Sequence, residues 1–517
     1  MSGTATMFAL AWSQLPSFAG QHVLLSLSAL CLGIAISLPL AIAASRLPRL
    51  RGPALATASV IQTIPGLALL ALFYPILLGL SAFTRQSFGF GFAALGFLPA
   101  LLALTLYAML PILRNTVIGL EGIDPAIVKA ARAVGMTPAQ SLLRVELPLA
   151  APTIMGGIRT AAVWVIGTAT LSTPVGQTSL GNYIFTGLQT ENWIFVLFGC
   201  GASAGLALLV DLALAGAQSG VTSRSRRRIL GSLLGLVALF AAALLVPRNS
   251  EGANIVVGTK NFEEQYILGA LIEQRLRAAG LAPSRRDGLG SSILFHALEA
   301  GDVDVYVDYS GTIWANQMHR SDQPGRAAML AQMAEWLKAQ HGIVLLGGLG
   351  FENAYRLAMR PDTAERLGVR SLADLATVAP RISIGGDFEF FGRPEWTATA
   401  RAYGLRFAQM RQYQPTFMYK ALEDGAVEVI SAFSSDGRIA QYGLRLLDDP
   451  RGALPPYDAV ILLSARAAAD PAVRQALAPL LGSISLAAMQ HANLMVDQQR
   501  DKASPQEAAR WLATRLR

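Results

Sequence analysis

Cysteine is nearly absent from this chain of 517 residues. Its two cysteines, Cys31 and Cys200, both lie within apolar runs. Two isolated thiols in such surroundings give no disulfide framework and no cysteine metal site. We therefore expect both residues to be small apolar packing residues.

Lysine and histidine are also scarce, and their positions exclude several kinds of enzyme. Each of the five lysines follows a residue other than glycine, so the Gly-Lys pair of a phosphate-binding Walker A loop is missing and no ATPase is encoded here. The histidines have no metal-ligand spacing, and neither a nucleophile elbow nor an HExxH pattern occurs. We expect no catalytic site, no metal site and no cofactor. His22, at the start of the first apolar run, is expected to lie at the membrane interface.

The chain is rich in apolar residues and, in its first half, in positive charge. Mean hydropathy is +0.42 and the isoelectric point is about 9.6. Residues 1–248 contain 14 Lys and Arg against 5 Asp and Glu, whereas residues 249–517 contain 28 against 29. The basic balance therefore belongs to the apolar half, and it is no sign of nucleic-acid binding.

Six apolar runs have the length that crosses a bilayer, roughly 17 to 25 residues. If the polar segment 121–152 is cytoplasmic, twelve Lys and Arg lie on that side and only Arg85 and Arg248 on the other. By the positive-inside rule, the N-terminus and everything after residue 248 are then outside the cytoplasm. Residues 1–247 are thus predicted to be an all-α polytopic membrane domain, with spans at 20–44, 54–80, 92–113, 152–174, 193–217 and 229–247.

The segment 121–152 is predicted to form two short helices. Asp124 caps a helix that starts at Pro125, and Gly135 ends it. Thr137 and Pro138 begin a second helix that runs to Pro148. A helix, a glycine turn and a helix between two membrane spans form a compact projection.

This segment resembles the cytoplasmic coupling loop of binding-protein-dependent ABC import permeases. The resemblance implies a type I ABC importer permease in the inner (plasma) membrane. It also implies a cytoplasmic ABC ATPase as partner, with a groove that receives the loop. The residues that carry it are Ala130, Ala131, Gly135, Leu147 and Pro148, and Lys129 stands where the family usually has Glu.

Two positions within the spans leave alternatives open. Residues Gln62–Pro65 resemble a stretch of osmoprotectant permeases, and Pro65 breaks a helix. Such a break fits either a place near the transport pathway or a plain kink. Asp211 is the one acid deep in a span, and we favour snorkelling towards the cytoplasmic end over a proton relay.

The second half alternates short β-branched runs with a helical pattern at 262–281, which predicts an α/β fold with parallel sheets. We place one lobe at about 253–355 with 460–517 and the other at about 356–459, after a short linker at 248–252. The crossovers are expected near 355–359 and 459–463. The predicted strands are 254–258, 303–307, 343–346, 381–384, 427–431 and 459–463.

Motifs spread over this half resemble, in the same order, those of the glycine betaine, choline and carnitine binding proteins of osmoprotectant ABC importers. The resemblance implies a two-lobed, periplasmic-binding-protein-like domain for a quaternary ammonium compound. With the permease motifs it covers nearly the whole chain. The motifs are Gly258–Phe262 with Glu264-Gln265, Gly301–Asp304, Tyr309–Thr312, Gly386–Phe390, Asp436–Ile439 and Pro455–Asp458.

The resemblance also implies the binding residues. A quaternary ammonium group donates no hydrogen bond, so aromatic ring faces recognise it, each contributing roughly 0.5–2 kcal/mol. By motif position, the aromatic cage of the family falls on Tyr309, Tyr355, Phe433 and Tyr457. Arg393 either reaches an anionic substrate group or pairs with Glu389. The other candidates for the polar end of the substrate are Gln265, Thr312, Asn261 and Ser292, with Ser291 beside it.

The leading hypothesis is a fused permease and substrate-binding subunit of an ABC importer for quaternary ammonium compounds, working as a homodimer in the lipid bilayer. Glycine betaine, choline, carnitine and ergothioneine all stay open as substrates. A ligand-sensing membrane receptor would need a cytoplasmic output domain. A membrane-bound enzyme would need a catalytic constellation in the cleft, and the sequence offers neither.

Overall fold

The structure, a computed structural model, describes residues 3–92, 94–190, 192–246, 254–320, 322, 324–387, 390–498 and 501–516. These residues form two compact units. The helical unit lies within residues 10–185 and 195–246, and the α/β unit is mainly the chain from residue 254 onwards. The predicted linker, 248–252, lies outside the described residues.

Long helices make up the first half of the chain. Among the described residues, six helical segments are long and apolar enough to cross a membrane, which agrees with the predicted number. These segments are Met7–Arg46, Gly66–Phe88, Phe97–Glu121, Pro138–Val175, Trp193–Thr222 and Arg226–Leu245. The helices are α1 (Gly3–Arg46), α2 (Pro48–Thr63), α3 (Gly66–Phe88), α4 (Phe97–Glu121), α5 (Pro125–Ala133), α6 (Pro138–Ser141), α7 (Leu147–Ala169), α8 (Gly181–Gln189), α9 (Trp193–Thr222) and α10 (Arg226–Leu245).

The second predicted span, 54–80, is interrupted in the structure. α2 ends at Thr63 and α3 begins at Gly66, because Pro65 has no amide hydrogen with which to continue the helix. Tyr107 on α4 donates a hydrogen bond to the carbonyl oxygen of Ile64 at this break. A neighbouring helix thus satisfies backbone that lipid could not satisfy.

Small residues let α4 and α7 pack closely at the centre of the helical unit. A Cβ atom at Gly157 on α7 would lie 2.7 Å from both the Cβ of Asn115 and the carbonyl oxygen of Pro111 on α4. Gly119 on α4 makes a similar approach to Ala150 on α7, where a Cβ would lie 3.3 Å away. Helices in membranes associate through such close contacts, since lipid supplies no hydrophobic driving force between them.

Asp211 forms an ion pair with Arg159, and its predicted snorkelling towards the cytoplasmic end stays a prediction. Arg159 on α7 donates two hydrogen bonds of 2.8 Å to the carboxylate of Asp211 on α9. A third, of 2.9 Å, goes from Arg159 to Gln218, which in turn donates to the carbonyl oxygen of Pro152. Pairing removes the need for either charge to reach water, and it holds α7 against α9.

His22 is buried among the helices, and its predicted place at the membrane interface stays a prediction. Its Nε2 lies 3.0 Å from the carbonyl oxygen of Ile166 on α7, and its Nδ1 accepts the backbone N–H of Leu180 at 3.3 Å. A neutral ring with its hydrogen on Nε2 satisfies both contacts. His22 therefore ties α1 to α7 and to the segment that leads into α8.

Two five-stranded sheets form the α/β unit. The first has the strand order β2-β1-β3-β10-β4 and the second β7-β6-β8-β5-β9. The chain passes from the first sheet to the second between β4 and β5, and it returns between β9 and β10. The strands are β1 (Ile255–Lys260), β2 (Pro283–Leu289), β3 (Val305–Tyr309), β4 (Val344–Glu352), β5 (Tyr355–Met359), β6 (Ser383–Asp387), β7 (Gln409–Tyr413), β8 (Val429–Phe433), β9 (Arg445–Leu446) and β10 (Asp458–Leu463).

Both sheets are mixed, so the predicted parallel sheets are wrong in this respect. β1 runs parallel to β2 and β3, but β10 is antiparallel to β3 and β4. In the second sheet β6 is parallel to β7 and β8, whereas β5 is antiparallel to β8 and β9. The two segments expected as crossovers, 355–359 and 459–463, are themselves strands in β5 and β10.

Helices connect the strands and pack on the sheets. The helix predicted at 262–281 is present as α11 (Glu263–Ala278), whose apolar residues are almost all buried. The others are α12 (Ser291–Ala300), α13 (Ser310–Thr312), α14 (Arg326–His341), α15 (Pro361–Leu367), α16 (Leu372–Val378), α17 (Pro394–Tyr403), α18 (Pro415–Glu423), α19 (Arg438–Gln441), α20 (Ala465–Ala469), α21 (Pro471–Leu477), α22 (Leu486–Asp497) and α23 (Pro505–Ala513).

Gly181 provides a test of packing in the helical unit. A Cβ atom at this position would lie 1.9 Å from the carbonyl oxygen of Thr170, which is backbone and cannot rotate away. We expect Gly181→Ala to destabilise the purified protein by about 3 kcal/mol, because overpacking forces main-chain shifts. Thermal melting in detergent, followed by circular dichroism, measures the loss. Gly167→Ala is the control, since a Cβ there meets no atom within 4 Å, and equal losses in both variants would contradict this packing.

Candidate coupling segment and binding site

The coupling segment, residues 121–152, begins as predicted. The side chain of Asp124 accepts the backbone N–H of Ala126 at 2.8 Å and caps α5. Gly135 follows with a φ of +84°, which glycine adopts without the penalty of a Cβ atom. Thr137 and Gln140 then form a capping box at the start of α6. The local sequence therefore dictates a helix, a turn and a second helix.

The second helix does not end at Pro148, which corrects the prediction. After α6 a π-helical turn, Leu142–Glu146, leads directly into α7, with Pro148 in its first turn. Pro148 has no amide hydrogen, so the helical hydrogen-bond pattern lacks one bond at this point. The coupling segment is thus continuous with a membrane helix.

Ion pairs and hydrogen bonds join the coupling segment to neighbouring helices. The buried carboxylate of Glu146 accepts hydrogen bonds from Ser141, at 2.9 Å, and from Arg46 at the end of α1. Arg51 on α2 lies 2.8 Å from Glu121 at the end of α4. These contacts fix both ends of the segment relative to the helical unit.

The outer surface of the coupling segment is partly apolar. Val134 is 74% exposed and Leu143 is 65% exposed, and Ile127 is exposed near them in sequence. Exposed apolar side chains mark a protein interaction site where they form a contiguous patch. Of the residues predicted for ATPase coupling, Lys129, Ala130, Gly135 and Pro148 are exposed, Leu147 is half-buried and Ala131 is buried.

In the α/β unit, Tyr355, Phe433 and Tyr457 form one group of aromatic rings, here called the ring cluster. Tyr355 begins β5 and Phe433 ends β8, and the two residues are direct partners in this antiparallel pair. Their ring centroids are 4.9 Å apart, and that of Tyr457 lies 5.6 Å from Tyr355, nearly perpendicular to it. The ring centroid of Phe390 also lies 5.0 Å from that of Tyr355. Three of the four predicted cage residues are thus brought together.

Charged groups surround the ring cluster. The hydroxyl of Tyr355 donates to Asp387 at 3.1 Å, and the hydroxyl of Tyr457 donates to Glu395. Arg393 lies 3.8 Å from Glu395 and 5.4 Å from the centroid of the Tyr355 ring. Burial and the neighbouring carboxylate raise the pKa of Tyr457 well above its usual value, so its hydroxyl keeps its proton and remains a donor.

Arg393 therefore pairs with Glu395, and Glu389, the partner suggested by the sequence, lies outside the described residues. Glu395 itself was missed by sequence reasoning. It follows Pro394 in the first turn of α17, where an acid is expected simply for favourable interaction with the helix N-terminus. The available signal in the sequence was the position of Glu395 two residues after Arg393, where an acid can pair with the arginine.

Tyr309, the fourth predicted cage residue, belongs to a second group of side chains. Its hydroxyl donates to Glu264 at 2.6 Å and accepts the amide of Gln265 at 3.0 Å. Its ring stacks on Phe262, with centroids 6.2 Å apart, and lies 5.3 Å from the ammonium nitrogen of Lys260. The Gln265 side chain also donates to the carbonyl oxygen of Val307 on β3 and accepts the backbone N–H of Lys260 on β1. This amide therefore connects β1 to β3.

The remaining predicted residues lie at different depths. Thr312 is buried on α13, while Asn261, after β1, is exposed. Ser291 is half-buried and Ser292 exposed in the first turn of α12. The structure gives these residues no contact with the ring cluster among the described hydrogen bonds and ring contacts.

Glu263 and Glu264 are two adjacent buried carboxylates. Their hydrogen bonds and ion pairs stabilise the region where the chain passes from one sheet to the other. Glu264 accepts hydrogen bonds from Asn353, between β4 and β5, at 3.1 Å and from Asn493 on α22 at 2.9 Å. Glu263 lies 2.5 Å from Arg438, on the segment that follows β8. Burial raises the pKa of Glu263 to about 7 against the opposing effect of Arg438.

The same region contains a group of buried acids, Glu263, Asp436 and Asp497, close enough together to hold a metal ion. Arg438 already lies among them, 2.9 Å from Asp436 and 3.5 Å from Asp497. The guanidinium supplies the positive charge that these acids need, so we interpret the group as structural.

Comparison with known proteins finds two families along the chain. Residues 33–248 match the model described as the inner membrane component of binding-protein-dependent transport systems. Residues 253–514 match the model described as the substrate-binding domain of the ABC-type glycine betaine transport system. These matches confirm the predicted fold class of a helical permease domain followed by an α/β binding domain.

Curated relatives cover both parts. An ergothioneine transport permease/ergothioneine binding protein of Helicobacter pylori is 30% identical over 78% of this chain and 72% of its own length. The choline transport system permease protein of Bacillus subtilis is 37% identical over 40% of this chain and 89% of its own length. A glycine-betaine-binding protein of Pseudomonas aeruginosa is 30% identical over 54% of this chain and 93% of its own length.

Both matched families are transport components, which agrees with a subunit that is not itself an enzyme and implies an ATPase partner and a small-molecule substrate. Six apolar helices followed by a binding domain describe a multi-pass protein of the inner membrane with an external C-terminal domain. The chain belongs to the ABC import family of the glycine betaine type, in its form with the permease and the substrate-binding domain fused in one polypeptide.

Proposed function

We propose that this chain captures and translocates a compound with a quaternary ammonium group, such as glycine betaine, choline or carnitine. The observation that carries the proposal is the ring cluster with Arg393 beside it. Ring faces attract a cation that offers no hydrogen bond, and a guanidinium suits a carboxylate at the other end of the same molecule. In this proposal the substrate lies against Tyr355, Phe433 and Tyr457.

Ergothioneine is the second candidate substrate, and a specific observation favours it. The relative from Helicobacter pylori is the one of the three whose similarity extends across both the permease and the binding domain. Ergothioneine is itself a betaine, so the same ring cluster and the same arginine suit it. Ergothioneine differs from glycine betaine in the thioimidazole side chain that it carries on the carbon between the cation and the carboxylate.

The proposed assembly is a homodimer in the lipid bilayer with a separate cytoplasmic ATPase. The permease domain would span residues 1–247 and the binding domain 253–517, with one lobe at about 253–355 and 460–517 and the other at about 356–459. Closure of the lobes on the substrate would precede transport. ATP binding by the partner would act through residues 121–152, whose apolar surface supports a docking role.

The substrate is tested by isothermal titration calorimetry of the full-length chain in lipid nanodiscs with glycine betaine, choline, carnitine and ergothioneine. We expect saturable binding of at least one. Gly311→Ala should weaken it about tenfold, because a Cβ there would lie 2.5 Å from the Tyr457 ring and displace a ring worth roughly 1 kcal/mol or more. Gly325→Ala is the control, since a Cβ there meets no atom within 4 Å.

Binding of none of the four compounds by the folded protein would reject the proposed substrate class and leave the transporter family intact. Unchanged affinity in Gly311→Ala, with melting as in the wild type, would instead remove Tyr457 from the binding site.

The coupling role is tested with Val134→Asp, which places a charge in the exposed apolar surface of the coupling segment. We expect loss of the ATPase when the chain is purified from its native membrane, because burying an unpaired carboxylate at an interface costs several kcal/mol. ATP hydrolysis in the purified complex measures this. Substrate affinity should stay as in the wild type, since Val134 lies in the helical unit. Retention of full ATPase activity would show that this surface is not the docking site.

A further inference from the structure

The two tyrosine hydroxyls of the ring cluster both donate to buried carboxylates. Tyr457 donates to Glu395, which is 5% exposed, and Tyr355 donates to Asp387, which is 6% exposed. Neither carboxylate is needed to explain why aromatic rings gather here. Burying a charge is costly. Two buried carboxylates that each accept a hydrogen bond from a tyrosine hydroxyl therefore point to an effect on the tyrosine rings.

A phenol that donates a hydrogen bond to a carboxylate gains electron density in its ring. The face of the ring becomes more negative, because hydrogen bonds in a buried site polarise the groups that make them. Attraction between a ring face and a cation is electrostatic and grows with that negative charge. A neutral group of the same shape gains nothing from it.

Glu395 is the clearer case of the two carboxylates. Asp387 also accepts the backbone N–H of Phe390 at 3.0 Å, so it has a separate structural role at the end of β6. One oxygen of Glu395 accepts the Tyr457 hydroxyl, while the other, also buried, has no hydrogen-bond partner among the described residues. Its ion pair with Arg393, at 3.8 Å, and its first-turn position in α17 stabilise the negative charge.

We propose that Glu395 is a positioning residue that acts through the Tyr457 hydroxyl, and that it sets the preference of the site for a cationic head group over a neutral group of the same shape. This inference rests on the proposed function and goes beyond it. The ring cluster supplies the shape of the site, and Glu395 supplies part of its selectivity for charge.

The test compares a quaternary ammonium ligand with its neutral carbon analogue on the full-length chain in nanodiscs. Glycine betaine is paired with 3,3-dimethylbutanoate, which keeps the carboxylate and the shape but has no cation; choline is paired with 3,3-dimethylbutan-1-ol. We expect Glu395→Gln to weaken the cationic ligand about fivefold and to leave the neutral one within about twofold. Glu335→Gln, at an exposed position of α14, is the matched control.

Tyr457→Phe breaks the same hydrogen bond from the other side and keeps the ring. It should give a similar loss for the cation, and the double variant should lose no more than either single variant, since both act through one bond. Melting temperatures identify any variant that fails to fold, and the remaining single variant then decides the outcome.

Equal weakening of the cationic and neutral ligands by Glu395→Gln, or additive losses in the double variant, would overturn the inference while the proposed function stands. Absence of binding of any quaternary ammonium compound to the wild type would reject the proposed function and the inference with it.

Discussion

Arg438 and the adjacent acids Glu263 and Glu264 determine how the α/β unit is assembled. All three side chains are buried, and such charges are stable only when they are paired and hydrogen-bonded. Their partners lie on α11, on α22, between β4 and β5, and after β8. Two of these segments adjoin Tyr355 and Phe433, so the pairing that fixes the junction also fixes the ring cluster.

The helical unit uses charge in the same way. Arg46 with Glu146 and Arg159 with Asp211 each connect two helices that are distant in sequence. A single unpaired member would be costly at membrane depth, whereas a pair specifies which helices become neighbours. In both halves of the chain, isolated charged residues in apolar surroundings therefore mark long-range contacts.

Long-range pairing also separates what the sequence predicts from what it does not. Six spans, α11 and six strands follow from runs of apolar residues, whose pattern is local. The sequence analysis did not predict β2, because Arg285 and Arg286 interrupt its apolar pattern. The strand forms through its pairing with β1. The roles of His22, Asp211 and Gln265 depend on partners far along the chain. In the site, three ring-cluster residues were predicted by resemblance and Asp387 lies within a motif, but Glu395 and the hydrogen bonds of both acids to the tyrosine hydroxyls required coordinates.

The π-helical turn at Leu142–Glu146 has a mechanical consequence. Because it joins α6 to α7 without a loop, residues 138–169 form one continuous helical segment that connects the exposed surface after Gly135 to the membrane helices. A flexible loop would absorb a displacement of the exposed surface in its backbone torsions. A continuous helical segment instead transmits it to α7 as tilt or rotation. The extra residue of the π-turn also shifts the angular phase of everything before it, so deleting one residue there would re-aim the whole contact face by about 100°.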